Sequence, residues 1–418
     1  MNGPYLTAAV APIPFRAKHV PGDFIVEEIP RFLPCGAGDH VYVQIEKTGL
    51  TTRHAVRLLA EALRVPAERI GVAGQKDAHA VTRQFISILG VSPTAVERLN
   101  VPHIRILGVA RHRAKLRLGD LAANRFQLRL RDIPDERLPD LDTALTVLDR
   151  RGVPNYFGPQ RFGMRGDTWK VGAALLRGNF DEAVALIVGR PLGADPEPVR
   201  EARALADAGR YGDAARAWPA AYADCRALCR HLAASGGEAR RAVLRMDRRL
   251  LGFYVSAFQA WIFNQVIAAR MPDVDKVLAG DIAVSHATGA MQVIHDPAGF
   301  ASAAAACSIS ATGPLVGAGM AFAEGDPGAL ERKAVASHDV TVTDLPCTGP
   351  CKCVGARRAV RFRPDRLEWE TGADVHGAYV ELRFTLPRGC YATALLREVG
   401  KSGLRQDLSN EWTREDRD

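Results

Sequence analysis

Apolar and polar residues alternate with two different periods along this chain, and the change of period marks its organisation. His40 to Lys47 (HVYVQIEK) places Val41, Val43 and Ile45 on one side of an extended segment, the two-residue period of a strand. Thr51 or Thr52 then offers a cap for a helix in which Val56, Leu59, Ala60 and Leu63 recur at helical spacing, before Pro66 closes it. A second strand is predicted over Gln84–Leu89. From Val109, the stretch ARHRAKLRLGDLAANRFQLRLRD reads as two strands about a Gly119-Asp120 turn.

The middle of the chain switches to helical spacing. Asp167 to about Arg270 is rich in Ala, Leu and Arg, with helices predicted to end near Gly178 and Gly189. VREARALADAGRYGDAARAW reads as a helical hairpin turning at Gly209, and the lack of any sustained period disfavours a solenoid. Leu250, Tyr254, Ala257, Phe258, Trp261 and Val266 give a broad apolar helix face, expected to be core. Residues 280–360 have weak periodicity and predict short strands and loops. Alternation returns at Ala378–Leu386, where Val380, Leu382, Phe384 and Leu386 share a face, and LPRGCYATALLREVG then turns into a helix. Strand-rich ends around a helical middle predict one α+β domain interrupted by an insertion.

Composition narrows the class. The 418 residues are 47% hydrophobic and 24% charged, which excludes a largely disordered or collagen-like chain. No run reaches the ~18–20 apolar residues of a membrane span, and no basic leader precedes the weak apolar N-terminus, so no secretory signal is expected. A net charge of +8 and a pI of about 9.2 permit an anionic partner without requiring one. Eight cysteines without a secretory signal predict reduced thiols in the cytoplasm. Cys347, Cys351 and Cys353 stand in C-x3-C-x-C spacing, and Cys225 and Cys229 lie at i, i+4. Zinc commonly takes four ligands from paired knuckles; buried or incidental thiols are the simpler account, and no metal site is expected.

Three stretches could carry chemistry. Arg111, Arg113, Lys115 and Arg117 would line one face of a strand, and Arg125, Arg129 and Arg131 repeat that phase in the next. A phosphate-tracking surface and a plain solvated sheet face are both compatible with this pattern. Asn124 and Phe126 share the opposite face. An aromatic beside an amide suits a base pocket, although such a Phe is more often core. In GVAGQKDAHAVTRQ, residues 71–84, Gly71 and Gly74 permit a tight course that presents Lys76 and Asp77, and an aspartate can serve as base or nucleophile. That glycine spacing is neither a Walker loop nor a dinucleotide fingerprint. His286, His295 and Asp296 lack metal-ligand spacing, and no G-x-S-x-G elbow is present.

Seven segments together resemble the TruD family of tRNA pseudouridine synthases: KHVPGDFIVEE, GVAGQKDAHAVTRQ, NRFQLRLRD, GVPNYFGPQRFG, QAWIFNQVIAAR, VGARRAV and LPRGCYATALLREV. They follow the family's order from about residue 18 to 399, nearly the whole chain. The resemblance implies a pseudouridine-synthase catalytic domain with a mixed or largely antiparallel sheet over residues 1–151 and 363–418, interrupted by an inserted α+β TRUD domain over 152–362. It implies Asp77 as the catalytic aspartate, Phe24, Asn124, Phe126 and Tyr391 around the uridine, and Lys18 as a basic residue nearby. Cys390-Tyr391 stands where Ser-Phe is expected in many bacterial relatives; Tyr keeps the stacking face and adds a hydroxyl. Residues 190–245 are longer than expected in a compact member. The implied partner is tRNA, with uridine 13 of the D-arm as target, in the cytoplasm. No cofactor is implied, because moving uracil from an N1 to a C5 linkage is neither redox nor hydrolysis. Two rivals are an RNA-gripping protein that has lost catalysis and a helical-repeat interaction protein. The intact Asp77 motif argues against the first; the second would leave the Asp77, Asn124 and Phe126 positions freely replaceable. The sequence does not choose between a glycal-type proton abstraction and direct attack by Asp77.

Overall fold

The structure, a computed structural model, describes residues 3–342, 345–346 and 348–403. The chain begins with β1 (Arg16–Ala17), β2 (Phe24–Pro30), β3 (His40–Thr48), α1 (Thr52–Leu63), β4 (Ile70–Val72), β5 (Val81–Leu89), α2 (Pro93–Glu97), β6 (Ile104–His112), β7 (Leu121–Arg131) and α3 (Leu138–Arg151). β8 (Val153–Pro154) leads into α4 (Thr168–Leu176), α5 (Phe180–Val188), α6 (Glu197–Asp207), α7 (Tyr211–Ala217), α8 (Ala223–Ala234), α9 (Ala239–Val243) and α10 (Arg248–Arg270). β9 (Ile282–Ser285), β10 (Met291–Val293), α11 (Pro297–Ala305), β11 (Ile309–Leu315), α12 (Gly325–Ala336) and β12 (Ala356–Ala359) follow. β13 (Arg361–Phe362), β14 (Asp365–Asp374), β15 (Gly377–Pro387) and α13 (Ala392–Gly400) come last. By their contacts these elements group into two units, Tyr5–Val153 with the described residues from Phe362 on, and Pro154–Arg361 with Gly3 and Pro4.

In the first unit, β14-β15-β7-β2-β5-β3-β6 form a sheet, with β1 added on β7 and β4 on β5. Every pairing is antiparallel except β2 with β5, where Ile25 lies beside Val81 in parallel register. The sheet is therefore mixed. Val41, Val43 and Ile45 of β3 are buried with Ile86 and Ile88 of β5 beneath Leu59 and Ala60 of α1, so the two periods in the sequence meet in one core. Burying side chains of this size contributes roughly 1.5–3 kcal/mol each. Of the two threonines that could cap α1, Thr51 does so, accepting from the His54 N–H at 3.1 Å.

The predicted hairpin across residues 109–131 does not form. β6 ends at His112 and pairs with β3, whereas β7 lies between β2 and β15. The intervening residues leave strand geometry because Leu116 is drawn into the core and its N–H donates to Ser87 Oγ (2.9 Å). Gly119 N–H meanwhile donates to Ala73 O (2.8 Å). Arg113, Lys115 and Arg117 consequently do not line a strand face.

The second unit carries α4 to α10 and an antiparallel sheet ordered β10-β9-β11-β12. Gly209 takes φ 72° between α6 and α7, the hairpin expected there. α10 is buried on more than one side. Its core-facing line is Leu251, Val255, Phe258, Ile262 and Val266, while Leu250, Tyr254 and Trp261 of the predicted face are only partly buried. This helix, 23 residues with mean hydropathy 1.3 over its most apolar window, is long and apolar enough to cross a membrane, but 56% of that window is buried within the protein. The described cysteines are all free thiols; Cys229 and Cys353 are buried, and Cys351 packs against both helical cores. Cys347 lies outside the described residues. Among the described residues, no group of three or more His, Cys, Asp or Glu side chains is placed to hold a metal.

Candidate active site

The loop between β4 and β5 is fixed from below by two buried polar side chains. Thr52 Oγ1 accepts from the Lys76 N–H (2.8 Å) and donates to Gln84 Oε1 (3.0 Å), while Gln84 Nε2 reaches Gly74 O at 3.5 Å. Lys76 then turns its ammonium inward onto Glu28 Oε2 of β2 (2.7 Å), a pair with side-chain exposures of 6% and 1%. Gly74 leaves room for it: a Cβ there would lie 2.8 Å from Lys76 Nζ. The Asp77 side chain beside it keeps 32% of its exposure.

Two buried lysines converge on Asp77. Lys18 Nζ donates to Asp77 Oδ2 at 3.1 Å and lies 4.1 Å from the centroid of the Phe24 ring. Burial lowers the pKa of its ammonium, against the opposing pull of Asp77. Lys18 also holds a left-handed backbone, φ 58°, a conformation costing a non-glycine residue about 1–3 kcal/mol and concentrated at functional sites. Lys47, with no exposed surface, donates to the main-chain carbonyls of Leu50 and, at 2.8 Å, of Asp77 itself. Burial pushes its amine down to about 8.

Beside this loop, β2 and β7 present one face made of Phe24, Val26 and Glu28 opposite Leu128, Phe126 and Asn124. Phe126 packs edge-on to Phe24 at 6.2 Å and stacks on Phe384 of β15 at 5.3 Å, leaving the ring 7% exposed. Asn124 lies next to Glu28, so the Lys76–Glu28 pair links it to the Asp77 loop. Its Oδ1 is buried without a hydrogen-bond partner among the described residues, an arrangement native proteins rarely tolerate unless a ligand or water completes it.

The family model for tRNA pseudouridine synthase D (TruD) matches residues 1–399. The chain is 41% identical over 399 residues to tRNA pseudouridine synthase D of Geobacter metallireducens, covering 96% of this chain and 98% of the relative. The Geobacter sulfurreducens protein of the same name is 41% identical over 400 residues, covering 95% and 96%. A solved structure from Methanosarcina mazei that carries the TruD name superposes with a TM-score of 0.79 at 28% identity, covering 95% of this chain and 96% of the other. The chain belongs to the tRNA pseudouridine synthase D family.

Of the residues that the TruD resemblance singles out, the structure gathers Asp77, Lys18, Phe24, Phe126 and Asn124 on one face through the contacts above. Tyr391 is not tied to them by any hydrogen bond or ring contact among the described residues. It stands 42% exposed at the residue preceding α13. Its turn is nevertheless linked to the loop, since Arg388 Nη1 donates to Gly119 O (3.2 Å) and Gly119 N–H to Ala73 O (2.8 Å).

The arginines of β7 are engaged by carboxylates in this structure. Arg125 pairs with Glu27 (3.1 Å), and Arg129 with Glu381 (3.0 Å) and Asp374 (3.1 Å). Arg131 is buried in a fork on Asp23 (2.6 and 2.8 Å) and on Asp374 (2.8 and 2.9 Å). Neighbouring strands supply the carboxylates that a single strand's sequence could not reveal. In this member of the TruD family the loop is also held by residues that the sequence analysis did not assign to the site: Lys47, Glu28, Thr52 and Gln84. Lys47 carried a signal, because it continues the inward phase of Val41, Val43 and Ile45.

Proposed function

We propose that this chain is a tRNA pseudouridine synthase that isomerises uridine to pseudouridine at uridine 13 of the D-arm, with the Asp77 carboxylate as base or nucleophile. The observation that carries the reading is a partly open carboxylate held on a buried ammonium, Asp77 on Lys18. The reaction breaks the N1–C1′ bond, turns the base and forms a C5–C1′ bond; N1 gains a proton, and the hydrogen at C5 leaves to water. Asp77 takes a ribose proton or attacks the sugar or base, and Lys18 orients the carboxylate as its charge changes. The target base must leave its stack, at a cost of a few kcal/mol. Phe24 and Phe126 supply an apolar wall that offsets part of this cost. The unpartnered Asn124 Oδ1 is an acceptor suited to the uracil N3–H. A folded tRNA substrate places the work in the cytoplasm.

The test is tritium release from tRNA labelled at uridine C5. Asp77→Asn loses about 10⁴-fold in turnover while tRNA affinity stays level. Release that persists in this variant removes Asp77 from its role. Tight tRNA binding without release by the native protein would favour a binding protein that has lost its chemistry.

A further inference from the structure

Asp77 itself is held by two lysines, its carboxylate by Lys18 and its main-chain carbonyl by Lys47. Lys47 projects from the end of β3 and is fully buried, with its amine on the main-chain carbonyls of Leu50, just before α1, and of Asp77. An ammonium without water is tolerated only where carbonyls and opposite charge surround it. The charges facing Lys47 are the Asp77 carboxylate and, opposing it, the Lys76 ammonium, itself held on Glu28. Its partners across the sheet, Thr82 of β5 and Ile104 of β6, carry no charge. Glu46, the preceding residue, is occupied by Arg83 (2.8 Å) and Arg105 (2.9 Å). Asp77 is thus the negative charge that Lys47 faces.

We infer that Lys47 is a positioning residue for the isomerisation: its ammonium fixes the Asp77 main chain against the start of α1 and supplies the second positive charge that holds the carboxylate ready. This rests on Asp77 being the reacting group. Its amine, lowered to about 8 by burial, makes the charge titratable in an accessible range. As pH rises through that value the folded protein loses the charge, and turnover declines with it. Stability moves the other way. The folded value lies below the ordinary 10.5, so the folded state releases this proton before the unfolded chain does, and rising pH from about 8 to 10.5 favours folding. A decline in turnover with no loss of stability therefore separates the positioning charge from a general loosening.

The experiment is tritium release from 5-tritiated tRNA, under steady-state and single-turnover conditions, between pH 6.5 and 9, with melting temperature followed in parallel. The native protein breaks near pH 8 and loses up to about tenfold per unit above it. Lys47→Met lowers kcat by about 100-fold, leaves KM within about threefold and shows no break near pH 8, while any loss of the uracil N3 proton at higher pH affects both proteins alike. Native kcat in Lys47→Met, a break that survives in it, or a native profile without a break overturns the inference. If Lys47→Met does not fold, Lys18→Met decides: a break retained in its residual activity supports Lys47, and one that vanishes assigns the titration to Lys18 and overturns it. Asp77→Asn is run beside them. Release from that variant sinks the Asp77 assignment itself, whereas an inactive Asp77→Asn with an unaltered Lys47→Met sinks only the role of Lys47.

Discussion

The two faces of β7, one rich in arginine and one apolar but for Asn124, use their polar groups in opposite ways. On one face Arg125, Arg129 and Arg131 each meet a carboxylate within 3.1 Å. On the other, Asn124 keeps a buried acceptor with no partner, beside a loop whose Asp77 carboxylate is left partly open. Ion-paired arginines stabilise a sheet and must release a carboxylate before they bind a ligand fully. An unsaturated group costs folding free energy, about 1–3 kcal/mol for a buried acceptor, and is retained where a ligand completes it. Residue type alone would have ranked the arginine face as the RNA-facing one; bonding state reverses that ranking.

The comparison can be broken by substitutions that read stability and turnover together. Asp77→Asn, with the largest effect, loses turnover far out of proportion to any loss of stability, since Asn keeps an acceptor for the Lys18 amine. Arg131→Met does the reverse: removing one partner of a buried pair costs about 3–5 kcal/mol, seen as a lower denaturation midpoint, while protein that remains folded turns over at the native rate. A binding defect in Arg131→Met at full stability would favour the phosphate-track reading. Asn124→Ala removes an acceptor that has no partner in the free protein, so its denaturation midpoint holds or rises, whereas turnover drops roughly 10–100-fold if that oxygen receives the uracil N3–H. Equal losses in both readouts would make Asn124 an ordinary structural amide.

The smallest effect concerns acid. Arg131 beside Asp374 holds that carboxyl well below its ordinary value of 3.8. The stabilisation is present above that ordinary value and is lost as pH falls below it through the folded-state value. Denaturation midpoints measured downward from pH 5 fall less steeply in Asp374→Asn than in the native protein. Matching slopes would show that this pair does not couple to folding.

Much of this was legible in the sequence, and the failures have a common cause. β3, α1, β15 and the α6–α7 hairpin follow periods contained within one segment, so their elements came out near the observed boundaries. Asp77 and the aromatic and amide partners came from long motifs. The hairpin over residues 109–131 failed because the alternation of arginine with apolar residues imitates a strand, while Ser87 and Ala73, distant in sequence, draw Leu116 and Gly119 out of that geometry. Half of the expected apolar face of α10 is core (Ala257, Phe258, Val266) and half only partly buried (Leu250, Tyr254, Trp261), since a helix packed on several sides has no single stripe to find. The partners of Arg129, Arg131 and Lys76 were invisible because they lie on other strands or, for Asp23, in the turn before β2.

The one parallel pairing in the sheet has a consequence for how the site was assembled. Ile25 and Val81 run side by side in the same direction, so the segments that enter β2 and β5 arrive at the same edge. Lys18 is carried on the first and Asp77 on the second. An antiparallel pairing would have delivered them to opposite ends of the sheet, and no choice of side chains would have let them meet. The acid and its counter-ion are therefore neighbours by strand direction before they are neighbours by chemistry. A rearranged chain that kept those two entries side by side would inherit the pair intact, wherever its termini were placed.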